Sequence, residues 1–163
     1  MEGKVHPKEK FILIIEDDES LIEMWSALLK NEGFNVIVAF DGNTALDKIK
    51  AYHVDLIILD ILLPNLNGYE FLRKLSQTPD KNIPVVVVTA KKLSPQAKED
   101  LLFAGNVVEI FEKPVPLDIL LLAIHKTLKT LSRAEQVIQQ TKEQADEKIK
   151  KITAIEQERW KKI

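Results

Sequence analysis

Val54-Asp55-Leu56-Ile57-Ile58-Leu59-Asp60-Ile61-Leu62-Leu63-Pro64 carries the strongest fold signal in the chain. Its branched aliphatics are too few for a helix of useful length and too uniformly apolar for a half-exposed strand. That pattern belongs to a strand buried on both faces of a parallel sheet. The run stops at Asp60, and Pro64 and Gly68 turn the chain soon after. In open α/β sheets the carboxyl ends of central strands border the crevice that binds ligands. A lone Asp at such a place usually caps the following loop. Here a second acidic cluster, Glu16-Asp17-Asp18, ends another apolar strand, Phe11 to Ile15. Acids on two parallel strand ends gather negative charge in one pocket, and such a pocket calls for a cation.

Working outward, strand and helix signals alternate five times. Phe11–Ile15 is followed by a helix from Glu19 to about Glu32, with Asp18 as its cap, a stripe of Leu21, Trp25, Leu28 and Leu29, and Gly33 as a left-handed stop. Phe34–Phe40 is a second strand, and Asp41-Gly42 opens a helix that turns Ala45, Leu46 and Ile49 inward. After the central strand, Asn67 and Glu70 form a capping-box pair for a helix through Leu72 and Leu75. Ile83–Val88 is a fourth strand ending at Thr89-Ala90. Ser94-Pro95 starts a helix to Ala104 that Gly105 ends. Val107–Phe111 is a fifth strand, followed by Lys113-Pro114 and a long helix from about Leu117. The alternation predicts an α/β fold, a doubly wound five-stranded parallel sheet, with a long C-terminal helix. A polar leader covers residues 1–10, the α/β domain 11–131, and a helical extension 132–163.

The extension holds no Gly or Pro and mixes charges of both signs. Its apolar residues recur every 11 positions, with Ile138, Ile149 and Trp160 in one row and Thr141, Ile152 and Ile163 in another. That period suits a nearly straight helical seam. A heptad reading, Leu131, Ile138, Ala145 and Ile152, gives a weaker coiled-coil seam, because its partner positions include Glu135 and Lys142. The tail is expected to continue the preceding helix past Leu131 and to form a homodimer with a second copy of itself.

Composition narrows the function classes. With 163 residues, 45% of them hydrophobic and 29% charged, the chain reads as one soluble domain plus the tail. A net charge of −2 points to neither nucleic acid nor an anionic membrane. No run approaches the roughly 20 apolar residues of a membrane span, and residues 1–7 lack a signal-peptide core. The absence of cysteine excludes thiolate metal sites and a cysteine nucleophile, and fits a cytoplasmic location.

At the strand ends stand Glu16 and Asp17, Asp60, Thr89 and Lys113, all aimed at one crevice. Carboxylate oxygens in that number suit Mg²⁺, a hard ion. Asp60 is then placed to act as a carboxylate nucleophile toward a phosphoryl group, with Lys113 and Thr89 as its cationic and hydroxyl partners.

This set resembles the receiver domain of bacterial two-component response regulators, over about Lys10 to Leu131. The segments that carry the resemblance are Ile14-Ile15-Glu16-Asp17-Asp18-Glu19, Leu59-Asp60-Ile61-Leu62-Leu63-Pro64-Asn65-Leu66-Asn67-Gly68, Val88-Thr89-Ala90 and Lys113-Pro114. The resemblance implies a flavodoxin-like receiver fold and a phosphoacceptor at Asp60, served by a sensor histidine kinase or a phosphotransfer protein. It implies a Mg²⁺ site at Glu16, Asp17, Asp60 and the Leu62 carbonyl. Thr89 becomes the switch hydroxyl, Lys113 the phosphate-contacting lysine, and the Lys113–Pro114 bond is expected to be cis. The implied role is a phosphorelay signalling domain rather than an enzyme acting on an external substrate.

One departure concerns the switch. The family usually carries an aromatic residue three positions before the lysine. Ile110 stands there, and Phe111, one step later, should face the other side of the strand. The segment Gly105-Asn106-Val107-Val108-Glu109 is also about one residue longer than the family pattern. Leu62 and Lys91, two past the phosphoacceptor and two past the switch hydroxyl, border the implied path of a hydrolytic water. Leu62 also stands where a haloacid-dehalogenase-type phosphatase would need a second Asp, and no hydroxyl-rich phosphate loop for a flavin follows the first strand. His6, His53 and His125 show no ligand spacing. Two other readings stay open: a phosphorylation-independent scaffold that binds through its tail, and a regulatory piece of a larger enzyme.

Overall fold

The computed structural model describes residues 3–104 and 106–162. Gly105 as a helix stop and Ile163 in the tail row lie outside them. Five strands form one all-parallel sheet in the order β2-β1-β3-β4-β5. They are β1 (Phe11–Ile15), β2 (Asn35–Ala39), β3 (Leu56–Leu59), β4 (Val85–Thr89) and β5 (Val107–Glu112). The helices are α1 (Glu19–Glu32), α2 (Gly42–Ala51), α3 (Gly68–Leu75), α4 (Pro95–Phe103), α5 (Leu117–Leu128) and α6 (Arg133–Trp160). The doubly wound sheet and the long C-terminal helix are those expected from the sequence. Among the described residues, no helix is long and apolar enough to cross a membrane.

Alternation along each strand sends successive side chains to opposite faces of the sheet. Leu13, Ile15, Ile57, Leu59, Val85 and Val87 pack with α2, α3 and α4 through Ala45, Ile49, Phe71, Leu75 and Leu101. Ile12, Ile14, Leu56, Ile58, Val86 and Val88 meet α1 and α5 through Trp25, Leu29, Leu120 and Ile124. Burial on both faces explains the continuous aliphatic runs. In α1 the fully covered stripe is Ile22, Trp25 and Leu29; Leu21 and Leu28 flank it, half-buried.

The expected helix starts carry their caps. Side-chain oxygens of Asp18, Asp41, Asn67 and Ser94 accept from the backbone N–H three residues on. Gly33, at φ 102°, closes α1 in the left-handed region that glycine enters freely.

One expectation is overturned. The last helix of the α/β domain does not run on into the tail. Lys129 adopts a left-handed conformation at φ 52°, and its N–H returns to His125 O as the cap of α5. Thr130 forms a parallel bridge with Val5, whose N–H donates to Lys129 O at 2.9 Å. Its hydroxyl lies 2.8 Å from His125 Nδ1. A fresh helix begins after Ser132, which makes a full capping box with Glu135. The chain accordingly divides into two compact units, residues 1–130 and 131–163.

Close approach to the β3–α3 loop requires glycine at position 68. A Cβ there would stand 2.6 Å from Ile61 Cα and 2.9 Å from Asp60 O, both backbone atoms that cannot swing aside. Gly68→Ala is therefore expected to destabilise the domain by roughly 1–3 kcal/mol, the cost of overpacking a tight contact. Urea unfolding measures this, and an unchanged midpoint would show that the loop yields freely.

Candidate functional site: an acidic pocket closed by a lysine

Strand register assembles the pocket. β1 and β3 pair with Ile15 opposite Leu59, so the next residues, Glu16 and Asp60, emerge side by side. Asp60 N donates to Ile15 O at 3.0 Å and Glu16 N to Ala39 O at 3.1 Å, which anchors both backbones. β4 and β5 pair with Thr89 opposite Glu112, and Lys113 N donates to Thr89 O at 2.9 Å. Thr89 and Lys113 thus flank the carboxylates from the other side. The Lys113–Pro114 peptide is cis.

Lys113 Nζ lies 2.6 Å from Glu16 Oε2 and 2.9 Å from Asp60 Oδ2. Both acids are buried, at 1% and 4% exposure. Glu16 Oε1 accepts from the N–H groups of Asp17 and Asp18, so each of its oxygens is engaged. Asp60 Oδ1 accepts from Leu62 N at 2.9 Å. Asp17 is exposed at the rim, and Asp18 serves as the cap of α1. The sequence-derived residues Glu16, Asp17, Asp60, Thr89 and Lys113 therefore share one pocket edge.

Burial raises the Glu16 carboxyl above the usual range, reinforced by the Asp60 charge. Its bonds from Lys113 and the Asp18 N–H only partly offset this. For Lys113 burial acts downward, but the hydrogen bonds to Glu16 and Asp60 outweigh it and hold the ammonium above the ordinary lysine value. The lysine is charged because two acids surround it, and the acids tolerate burial because the lysine is there.

The donor set fits a hard divalent cation. Glu16, Asp17 and Asp60 each offer a carboxylate oxygen, and these oxygens lie within 4.8 Å of one another.

Trp25 and Tyr69 carry no functional signal in the sequence, yet each meets a lysine of the site region. The Lys113 ammonium stands 5.7 Å from the Trp25 ring centre, so this core tryptophan also walls the site. Lys91 Nζ lies 5.4 Å above the Tyr69 ring, while its backbone N–H donates to Thr89 Oγ1 at 3.2 Å. Tyr69 directly follows the constrained Gly68, yet nothing in the sequence pairs it with Lys91.

The extra residue before Lys113 is a β-bulge. Val85 pairs with Val107 but Val86 with Glu109, which leaves Val108 outside the ladder. Beyond the bulge, Ile110 packs on the α2–α3–α4 face and Phe111 on the α1–α5 face. The bulge restores the register that brings Lys113 to Asp60, and the side of β5 that shares a face with Thr89 carries isoleucine in place of an aromatic ring.

Comparisons with known proteins agree on one family. The family model described as "Response regulator receiver domain" matches residues 12–125. A curated relative, response regulator ArlR of Staphylococcus aureus (strain Mu50 / ATCC 700699), is 41% identical over 80 residues, covering 49% of this chain and 36% of ArlR. The chain thus spans little more than a third of that relative's length. Among solved structures, a CheY-like receiver domain protein of Methanospirillum hungatei JF-1 is 29% identical at a TM-score of 0.67, with 73% of this chain and 93% of that one covered. The receiver domain of the Pseudomonas aeruginosa PAO1 sensor histidine kinase PA1611, solved with a magnesium ion coordinated in its active-site cleft, is 25% identical at a TM-score of 0.66, with 74% and 98% covered.

Proposed function

The chain belongs to the response regulator receiver family, and from that premise we propose that Asp60 takes a phosphoryl group from a sensor histidine kinase or phosphotransfer protein. The observation that carries this reading is the Lys113 ammonium shared between Glu16 and Asp60 at 2.6 and 2.9 Å, at the carboxyl end of the sheet. In this pocket acids from two strands share one ammonium group, which can also contact a phosphoryl oxygen.

A carboxylate oxygen of Asp60 attacks the phosphorus of a phosphohistidine. The new P–O bond forms as the P–N bond breaks, and the electron pair returns to the imidazole, which takes a proton from solvent. Lys113 then turns from the carboxylates to a phosphoryl oxygen. The Thr89 hydroxyl, which accepts from Lys91 N, keeps its own hydrogen to donate to another. Asp17, Asp60 and the Leu62 carbonyl, with Glu16 behind them, would hold Mg²⁺, whose charge lets a phosphoryl group approach the acids. The magnesium ion in the PA1611 cleft supports that assignment. The chain acts as an acceptor whose modification alters partner affinity, in the cytoplasm where such kinases present their phosphohistidine.

Incubation with a small acyl-phosphate donor and Mg²⁺, followed by intact mass, tests the proposal. One phosphoryl adduct that disappears with chelator is expected; no adduct with donor and Mg²⁺ in excess would reject it.

The acyl phosphate should be long-lived. Leu62 is half-exposed at the pocket rim and cannot hold a water in line. Lys91, anchored to Thr89 through its backbone and resting on Tyr69, is within chain reach of the phosphoryl oxygens. Leu62→Asn with Lys91→Glu is expected to shorten the lifetime by roughly tenfold, the effect of orienting one water. The two changes should be non-additive because they meet the same approach path. Phosphate release after donor removal reads this out, and an unchanged rate in the double variant would exclude the role.

A further inference from the structure

We propose that two copies of this chain pair antiparallel through α6, with the two-fold axis at Ile149. α6 runs 28 residues from Arg133 to Trp160, and none of them is buried. Ile138, Ile149, Ile152 and Trp160 on this helix are 56–74% exposed. A charged helix gains little from holding such a row in water.

Two observations name a second copy as the occupant and set its direction. The first is charge. Between Arg133 and Glu147 the acids Glu135, Glu143, Asp146 and Glu147 outnumber two bases; between Lys148 and Lys162 six bases outnumber Glu156 and Glu158. A parallel pair in register would lay the basic half against itself. Reversal lays it against the acidic half, at the roughly 10 Å separation where charges still interact at physiological salt.

The second is spacing. Ile138 and Trp160 stand 11 residues either side of Ile149, so the row maps onto itself when one helix is reversed. Ile149 then meets the partner's Ile149, Ile138 meets the partner's Trp160, and bulky Ile152 lies one residue off the level of the partner's small Ala145. A residue spacing of 11 keeps these positions on one side of a nearly straight helix, as such a seam requires. The contact is isologous and closes as a dimer.

Cysteine cross-linking of the full chain tests the arrangement, because the chain has no cysteine of its own. Ile138→Cys and Trp160→Cys proteins, mixed and oxidised, are expected to give mainly the mixed disulfide dimer, and neither alone a disulfide. In the reversed pair two copies of position 138 lie about 33 Å apart, at 1.5 Å rise per residue. Self-linking of either variant, or no mixed product, would overturn the antiparallel seam. Light scattering of the unaltered chain should give twice the 18.6 kDa chain mass. Lys151→Glu, which sets an acid level with the partner's Glu147 on both sides of the axis, should weaken pairing about tenfold. A monomer mass, or pairing untouched by that reversal of charge, would overturn the proposal.

Discussion

Asp60→Asn leaves the domain folded and lowers phosphoryl uptake by roughly three orders of magnitude or more, the scale of losing a nucleophile. An amide has the shape of the carboxylate but no anionic oxygen to attack phosphorus. The Asn carbonyl oxygen can still accept from Leu62 N, as Asp60 Oδ1 does at 2.9 Å, while its NH2, which cannot accept from Lys113 in place of Oδ2, makes the lysine turn wholly to Glu16. Lys113 keeps Glu16 at 2.6 Å, so no buried charge is left alone. Removing the neighbouring anion also relieves Glu16, whose carboxyl is pushed up partly by Asp60. Stability should therefore hold or rise slightly while the mass adduct vanishes. Labelling that persists would move the acceptor elsewhere, with exposed Asp17 as the first residue to test.

Lys113→Met produces the opposite pattern, a large loss of stability together with the loss of phosphorylation. The lysine is the partner of two buried carboxylates, and withdrawing it strands them. Breaking a buried ion pair from one side costs about 3–5 kcal/mol. The deficit should depend on pH. Glu16 already has a raised folded pKa, and without the lysine it rises further. Between the ordinary value of 4.5 and the raised one, the folded state holds a proton that the unfolded state has released. Stability of the variant should therefore increase as pH falls through the raised value, recovering part of the deficit at mildly acid pH. In the unaltered chain the Lys113 contribution is complete below the ordinary lysine value and fades only as pH rises through its elevated one. Urea unfolding of both proteins at about pH 5.5 and pH 8 separates these effects, within the range where buried carboxyl groups titrate. Equal stability at pH 8, or a deficit that does not shrink with acid, would mean that the lysine is dispensable to the fold.

Much of this protein is legible locally because its signals are local. Continuous aliphatic runs ending at Glu16, Asp60 and Thr89 announce doubly buried parallel strands with polar ends, since a two-residue repeat and burial need no distant partner to be read. Asp18, Asp41, Asn67 and Ser94 announce helix starts for the same reason: each cap binds an N–H three residues away. Which acid stands beside which is a matter of register. Ile15 opposite Leu59 brings Glu16 to Asp60, and the bulge at Val108 decides that Lys113 joins them and that Phe111 faces away. The additional residue is countable in the chain, but where the ladder absorbs it depends on both strands together. The α5–α6 break escaped the sequence altogether. Lys129 is an ordinary helix former, and a left-handed turn there is unfavourable alone. Val5, some 125 positions earlier, takes the Lys129 carbonyl and pairs with Thr130, whose hydroxyl meets His125. The elements and the chemistry at their ends can be read from local residue patterns; strand register, the position of the bulge and the α5 stop cannot, because each is set by hydrogen bonds between segments far apart in the chain.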